Sequence, residues 1–106
     1  MRFIMKIRMP IEQGNRSLSD PEFGEKMQSY LKDVKAEAAY FTTVEGQRGG
    51  YIILNMDNPS QLPAIAEPLF LWLNADLEAW PAMTPEDLGK ANSSIRTAVK
   101  KWNRTT

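Results

Sequence analysis

Apolar and polar positions alternate from the start of the chain. Phe3, Met5, Ile7 and Met9 share one face of residues 2–9, while Ile4 lies among Arg2, Lys6 and Arg8 on the other. This period of two predicts a first strand, ended by Pro10, and residues 11–19, with Gly14-Asn15 inside, read as a loop. Asp20-Pro21 reads as a helix cap followed by proline at the first helical position, where its missing N–H costs nothing. Phe23, Met27, Tyr30, Leu31 and Val34 then recur at helical spacing opposite Glu25, Lys32 and Asp33, which predicts a helix over 21–35. Residues 38–44 and 51–56 are rich in aromatic and β-branched side chains, so they are expected to pair as an antiparallel hairpin. The turn is read over 45–48, with Gly49-Gly50 relaxing the entry to the second strand.

Asp57-Asn58-Pro59-Ser60 opens another helix, with Leu62, Ile65, Ala66, Leu69, Phe70 and Leu73 as its buried stripe. Pro63 falls in the tolerant first turn, whereas Pro68 removes an interior hydrogen bond and is expected to bend the helix. Leu71 and Trp72 lie outside the stripe, which predicts cover on more than one side. Residues 76–83 alternate weakly around Pro81 and suit a short or edge strand. Thr84-Pro85-Glu86-Asp87 is a strong helix start, and its two acids are explained by the helix dipole without a metal. Leu88, Ala91, Ile95, Ala98, Val99 and Trp102 carry that helix to about residue 102, with Gly89 and Asn92-Ser93 as places where it can break.

The order strand, helix, strand, strand, helix, strand is the split βαβ arrangement, here with an extra C-terminal helix. The fold class expected is therefore α+β, ferredoxin-like, in one domain over residues 1–106. Right-handed crossovers place both main helices on one face of the sheet, filled most easily by Phe3, Met5, Ile7, Ile52, Leu54 and Met56. The opposite face then carries Ile4, Lys6, Arg8, Tyr40, Thr42, Tyr51, Ile53 and Asn55, with Glu78 and Trp80 beside them. That set is too apolar for water and too polar for a dry core, which predicts a homodimer closed sheet to sheet around a partly polar interior.

Composition narrows the chemistry. Thirteen Lys and Arg balance thirteen Asp and Glu, so no overall field draws nucleic acid or an anionic membrane. Cys and His are both absent, which removes thiolate chemistry and the commonest transition-metal ligands and leaves acid–base work to Asp, Glu, Lys or Tyr. No cofactor and no metal are expected. The first strand's cations interrupt any signal-peptide pattern, and the longest strong apolar run, residues 69–73, is too short for a membrane span, so a cytoplasmic location is expected.

Three stretches carry a family resemblance: Gly50-Tyr51-Ile52-Ile53 through Asp57-Asn58-Pro59-Ser60-Gln61-Leu62-Pro63, then Glu67-Pro68-Leu69-Phe70, then Pro81-Ala82-Met83-Thr84-Pro85-Glu86-Asp87-Leu88. Together they resemble a family of small bacterial proteins of unknown function grouped with the dimeric α+β barrels. That superfamily includes muconolactone isomerase and cofactor-independent antibiotic-biosynthesis monooxygenases. The resemblance implies the fold and the dimer. It brings no catalytic residue, because the histidines several of those relatives use have no counterpart here.

Two readings of the open face follow. In one, Lys6, Arg8, Tyr40, Tyr51, Asn55 and Trp80 line a ligand pocket, with the cations holding a carboxylate or phenolate, Trp80 stacking on an aromatic, and Glu78 as candidate general base. In the other, Lys6 and Arg8 pair with Glu78 across the sheet and the aromatics simply pack. The matching functions are a small-molecule-binding protein or cofactor-independent enzyme, whose pocket lies between sheet and helices or between sheet and partner sheet, and a non-enzymatic interaction or regulatory module with a filled core. RNA binding is disfavoured, because Gly50, Ile52 and Asn55 stand where an RRM-type strand needs stacking aromatics.

Overall fold

The structure, a computed structural model, describes residues 1–104. Along the chain run β1 (Arg2–Arg8), α1 (Ile11–Leu18), α2 (Phe23–Asp33), β2 (Ala38–Val44), β3 (Gln47–Asn55), a 3-10 turn (Pro59–Gln61), α3 (Leu62–Leu73), β4 (Asp76–Pro81), α4 (Pro85–Lys90) and α5 (Asn92–Trp102). The strands form one antiparallel sheet in the order β2-β3-β1-β4, so β1 and β3 are central and β4, which carries Pro81, is an edge. The chain is an α+β protein. No helix among the described residues is long and apolar enough to cross a membrane.

Strand parity sorts the faces as the alternation predicts. Met5 and Ile52 are paired, as are Phe3 and Leu54, and Met5, Ile7, Ile52 and Leu54 are buried in a core shared with Tyr30 of α2 and Ile65, Leu69 and Leu73 of α3. The two helices are joined at their outer edge by Phe23 and Trp72, whose ring centroids lie 5.3 Å apart. On the opposite face Lys6, Tyr51 and Ile53 are only half-buried, and Tyr40 and Trp80 are exposed.

Several boundaries differ from those expected, each for a local reason. Residues 11–18 form α1 and not a loop: the helix turns Gly14 and Ser17 inward, so it lacks the large apolar period that marks a buried stripe. The strand before it stops at Arg8, with the Met9 N–H still donating to the Arg48 carbonyl at 2.9 Å. α2 begins at Phe23 because Asp20 caps a preceding turn, its Oδ1 accepting the Glu22 N–H at 2.9 Å, and it ends at Asp33. The hairpin turn is Glu45 and Gly46 alone, with φ of 51° and 80° and Val44 paired to Gln47, the left-handed pair that matches strand twist. Gly49 and Gly50 therefore lie inside β3 and do not belong to the turn.

The helix starts follow their caps. Asn58 accepts the Ser60 N–H at 2.9 Å while Gln61 accepts the Asn58 N–H at 3.0 Å, and α3 continues through Pro68 to a left-handed Asn74. Thr84 and Asp87 cap α4 reciprocally at 3.0 and 3.1 Å, and the C-terminal helix is broken at Ala91.

Tyr30 ties α2 to α3, its buried hydroxyl donating to the Ile65 carbonyl at 2.6 Å. Burial pushes this phenol up to about 12 from its ordinary 10.0. A raised folded-state value stabilises fully below the unfolded value and is lost as pH climbs through the folded one. Stability is thus expected to fall between pH 10 and 12, and in Tyr30→Phe, already weaker by about 1 kcal/mol at neutral pH, this part of the decline should vanish. Urea midpoints measured across that range decide it.

Candidate functional site

β1 brings Lys6 and Arg8 to the middle of the uncovered face, and its register with its neighbours sets what surrounds them. Lys6 lies between Tyr51 on β3 and Glu78 on β4, and Arg8 lies between Gly49 and Asp76. Tyr40 is paired with Tyr51, Ile4 with Trp80, and Asn55 with Arg2 at the far end. Every residue proposed for this face from the sequence is therefore on it.

The cations there are already engaged. Lys6 Nζ donates to Glu45 Oε1 at 2.9 Å, stands 3.4 Å from Glu78 Oε1, and sits 5.9 Å from the centre of the Trp80 ring. Arg8 spans Glu45 through Nη1 and Asp76 through Nη2, the latter at 2.8 Å. At the far end Arg2 Nε donates to Glu37 Oε1 at 3.0 Å, and Asn55 Nδ2 reaches the same oxygen at 3.5 Å. Hydrogen bonding to Glu45, opposed by partial burial and helped by the Glu45 and Glu78 charges, raises the Lys6 pKa; hydrogen bonding to Asp76 does the same for Arg8. Glu45 and Asp76 are the members of this network that the sequence reading left out. The same parity that selected Glu78 extends to Asp76, but Glu45 reaches the cations only because the turn is so tight.

The Glu45 carboxyl is held below its ordinary 4.5 by the Lys6 hydrogen bond first and by the Lys6 and Arg8 charges next. A depressed folded-state value contributes stability above the unfolded value that disappears as pH falls through the folded one. Wild type should therefore be more stable than Glu45→Gln at pH 7, by an amount that shrinks below pH 4.5 and is gone once Glu45 is protonated. Paired denaturation curves over pH 3–7 measure the difference.

A second feature lies on the other side of the sheet. A cavity of about 500 Å³ opens between α1, α2 and the hairpin end of the sheet, lined by Ile7, Met9, Leu18, Phe23, Gly24, Met27, Gln28, Phe41, Thr42, Thr43, Arg48, Gly49 and Leu73. Its wall is dominated by apolar side chains, and Leu18 and Phe41, both 57% exposed, form its lip. Arg48 is the only cation among the lining residues. Its Nη1 donates to Asn15 Oδ1 at 3.0 Å, and the guanidinium lies across Gly14, where a Cβ would crowd it. A guanidinium carries five N–H donors, so this one contact leaves capacity to meet a carboxylate at the mouth.

Of the residues expected on the open face only Thr42 reaches this cavity; Lys6, Arg8, Tyr40, Tyr51, Asn55, Glu78 and Trp80 do not line it. Arg48 and Phe41 were open to detection by parity, since Phe41 shares the face of Gly50 and Ile52; the arginine's seat against α1 was not, because that segment reads as a loop. Comparison with protein-family models finds none that matches the chain, and comparison with curated proteins finds no similar sequence.

Proposed function

We propose that the protein binds a small apolar acid, such as an aromatic or medium-chain carboxylate, in the cavity between helices and sheet. The observation that carries this reading is an apolar chamber of about 500 Å³ whose only lining cation, Arg48, is exposed. Ligand sites for small molecules run from about 300 to 1,000 Å³, mostly apolar with a few placed polar groups, and this one has that make-up. Hydrophobic burial would supply affinity, and Arg48 with the Thr42 and Thr43 hydroxyls would orient the acid.

The accompanying architecture is a ferredoxin-like βαββαβ domain that pairs through its uncovered face into a dimeric α+β barrel. The strand order β2-β3-β1-β4 and the half-buried Ile4, Tyr51 and Ile53 beside the exposed Tyr40 and Trp80 support it. The likeness to dimeric barrel proteins such as muconolactone isomerase belongs with this reading. A second reading, a dimeric interaction module with a filled interior, is favoured by one observation: Glu45, Glu78 and Asp76 already engage Lys6 and Arg8.

Thermal shift with a panel of aromatic and medium-chain carboxylates separates them. The wild type should melt several degrees higher with at least one acid, Arg48→Ala should lose most of that rise, and Lys6→Ala should keep it. Absence of any rise would sink the cavity reading, and dependence on Lys6 alone would move the ligand to the open face.

A further inference from the structure

α4 and α5 bury no residue, and Ile95, Val99 and Trp102, which lie on one side of α5 at spacings of four and three, are 45%, 48% and 72% exposed. The molecule is correspondingly long, 60 Å against 28 and 22 Å. Its radius of gyration is 17.9 Å, where a compact chain of this length has about 13 Å. The two helices together amount to about 25 Å at 1.5 Å per residue, which is most of the excess. An apolar arm held out in water is costly, and it calls for a partner surface.

Charge says which surface. Residues 1–83 hold eight Lys and Arg against eleven Asp and Glu, and residues 84–106 hold five against two, so a body of −3 carries an arm of +3. The body also has a seat of matching chemistry. A groove of about 480 Å³ runs between α2 and α3, lined by Val34, Pro68, Leu71 and Trp72, with Asp33 beside them and with Lys26, whose charge is already paired with Asp20 at 3.2 Å. Leu71 is 84% exposed, and Asp33 takes part in no ion pair among the described residues. With both the groove and Trp102 open, the arm does not fill the groove of its own chain.

We propose that α5 of one copy lies in the α2–α3 groove of a second copy, with Ile95, Val99 and Trp102 against Leu71 and Trp72 and the basic residues of α5 facing Asp33. Exchange of two arms about a twofold axis satisfies both grooves and closes the assembly. Pairing of two α5 helices would instead set Arg96, Lys100 and Lys101 against their like, and an anionic membrane would attract the arm while repelling the body. The inference is independent of what the cavity binds.

The chain has no cysteine, which makes engineered disulfides a clean test. Full-length Ser29→Cys and Lys101→Cys chains, mixed in equal amounts and oxidised, should give the mixed disulfide dimer as the main crosslinked product. Adding Trp102→Asp to the Lys101→Cys chain, at a site too exposed to matter for folding, should cut that yield about tenfold. Four results would overturn the proposal: no mixed dimer, a yield indifferent to Trp102→Asp, a disulfide closing within one chain when both cysteines are placed together, or a predominance of arm-to-arm product. Partition of uncrosslinked protein onto anionic vesicles would assign the arm to a membrane instead.

Discussion

A Gly50→Val variant is expected to lose the folded state. Gly50 is buried in the middle of β3, opposite Ile7 on β1 and Phe41 on β2. A Cβ built there overlaps the Tyr40 carbonyl oxygen and crowds the Phe41 backbone, and one at Gly49 overlaps the Ile7 carbonyl oxygen. These obstacles are backbone atoms of neighbouring strands, so relief requires the strands to part, with loss of the ladder that holds β2 to the sheet. A cost above about 4 kcal/mol follows, set against a domain stability of about 5–15 kcal/mol. Circular dichroism and a urea curve test it: a cooperative transition within about 1 kcal/mol of wild type would show that the strands yield easily. Gly50→Ala should also be destabilised, since the first carbon alone makes the overlap.

Filling the cavity from its helix wall should have the opposite pattern, a large effect on binding and little on stability. Gly24 lines the cavity in the first turn of α2, and a Cβ placed there meets no atom within 4 Å. Gly24→Phe is therefore expected to keep or raise the unliganded melting temperature, since glycine is a weaker helix former than the residue replacing it. It should also abolish the rise caused by a bound acid, which at a hundredfold excess over Kd is worth about 2.7 kcal/mol. Retention of the full ligand shift in this variant would place the ligand elsewhere.

The sheet was the most legible part of the molecule because its two faces differ so sharply in chemistry. Phe3, Met5 and Ile7 against Lys6 and Arg8 fixed the faces of β1, and β-sheet register carried that division to Ile52 and Leu54 against Tyr51 and Asn55. The Thr84–Asp87 cap was legible for a related reason: a reciprocal pair of hydrogen bonds is a local event that needs no tertiary information.

What escaped depended on long-range contacts or small side chains. α1 was hidden because its inward residues, Gly14 and Ser17, are the types that mark loops elsewhere, and their role is to let Arg48 and the body of the sheet come close. Glycines misled again at Gly49-Gly50, where they signal close backbone approach and not a turn, and the shift of turn to Glu45-Gly46 is what carries Glu45 to Lys6 and Arg8. The open-face candidates thus share one surface, Glu78 included, while Glu45 and Asp76, which also engage the cations, and the residues lining the cavity behind them were missed. The outward projection of α5 had no sequence signal either: its stripe of Ile95, Val99 and Trp102 reads the same whether the helix packs on its own domain or on another chain.

The claim on which the functional account rests is that a small acid occupies the space between α2 and the sheet, and the chain's own methionines report on it. Met9 and Met27 line the cavity, whereas Met1 and Met83 are exposed away from it. Methyl-labelled methionine spectra recorded during titration with the acid that gives the largest thermal shift should show Met9 and Met27 moving in a saturable way while Met1 and Met83 stay still. Stationary Met9 and Met27 signals at saturating ligand would contradict the account.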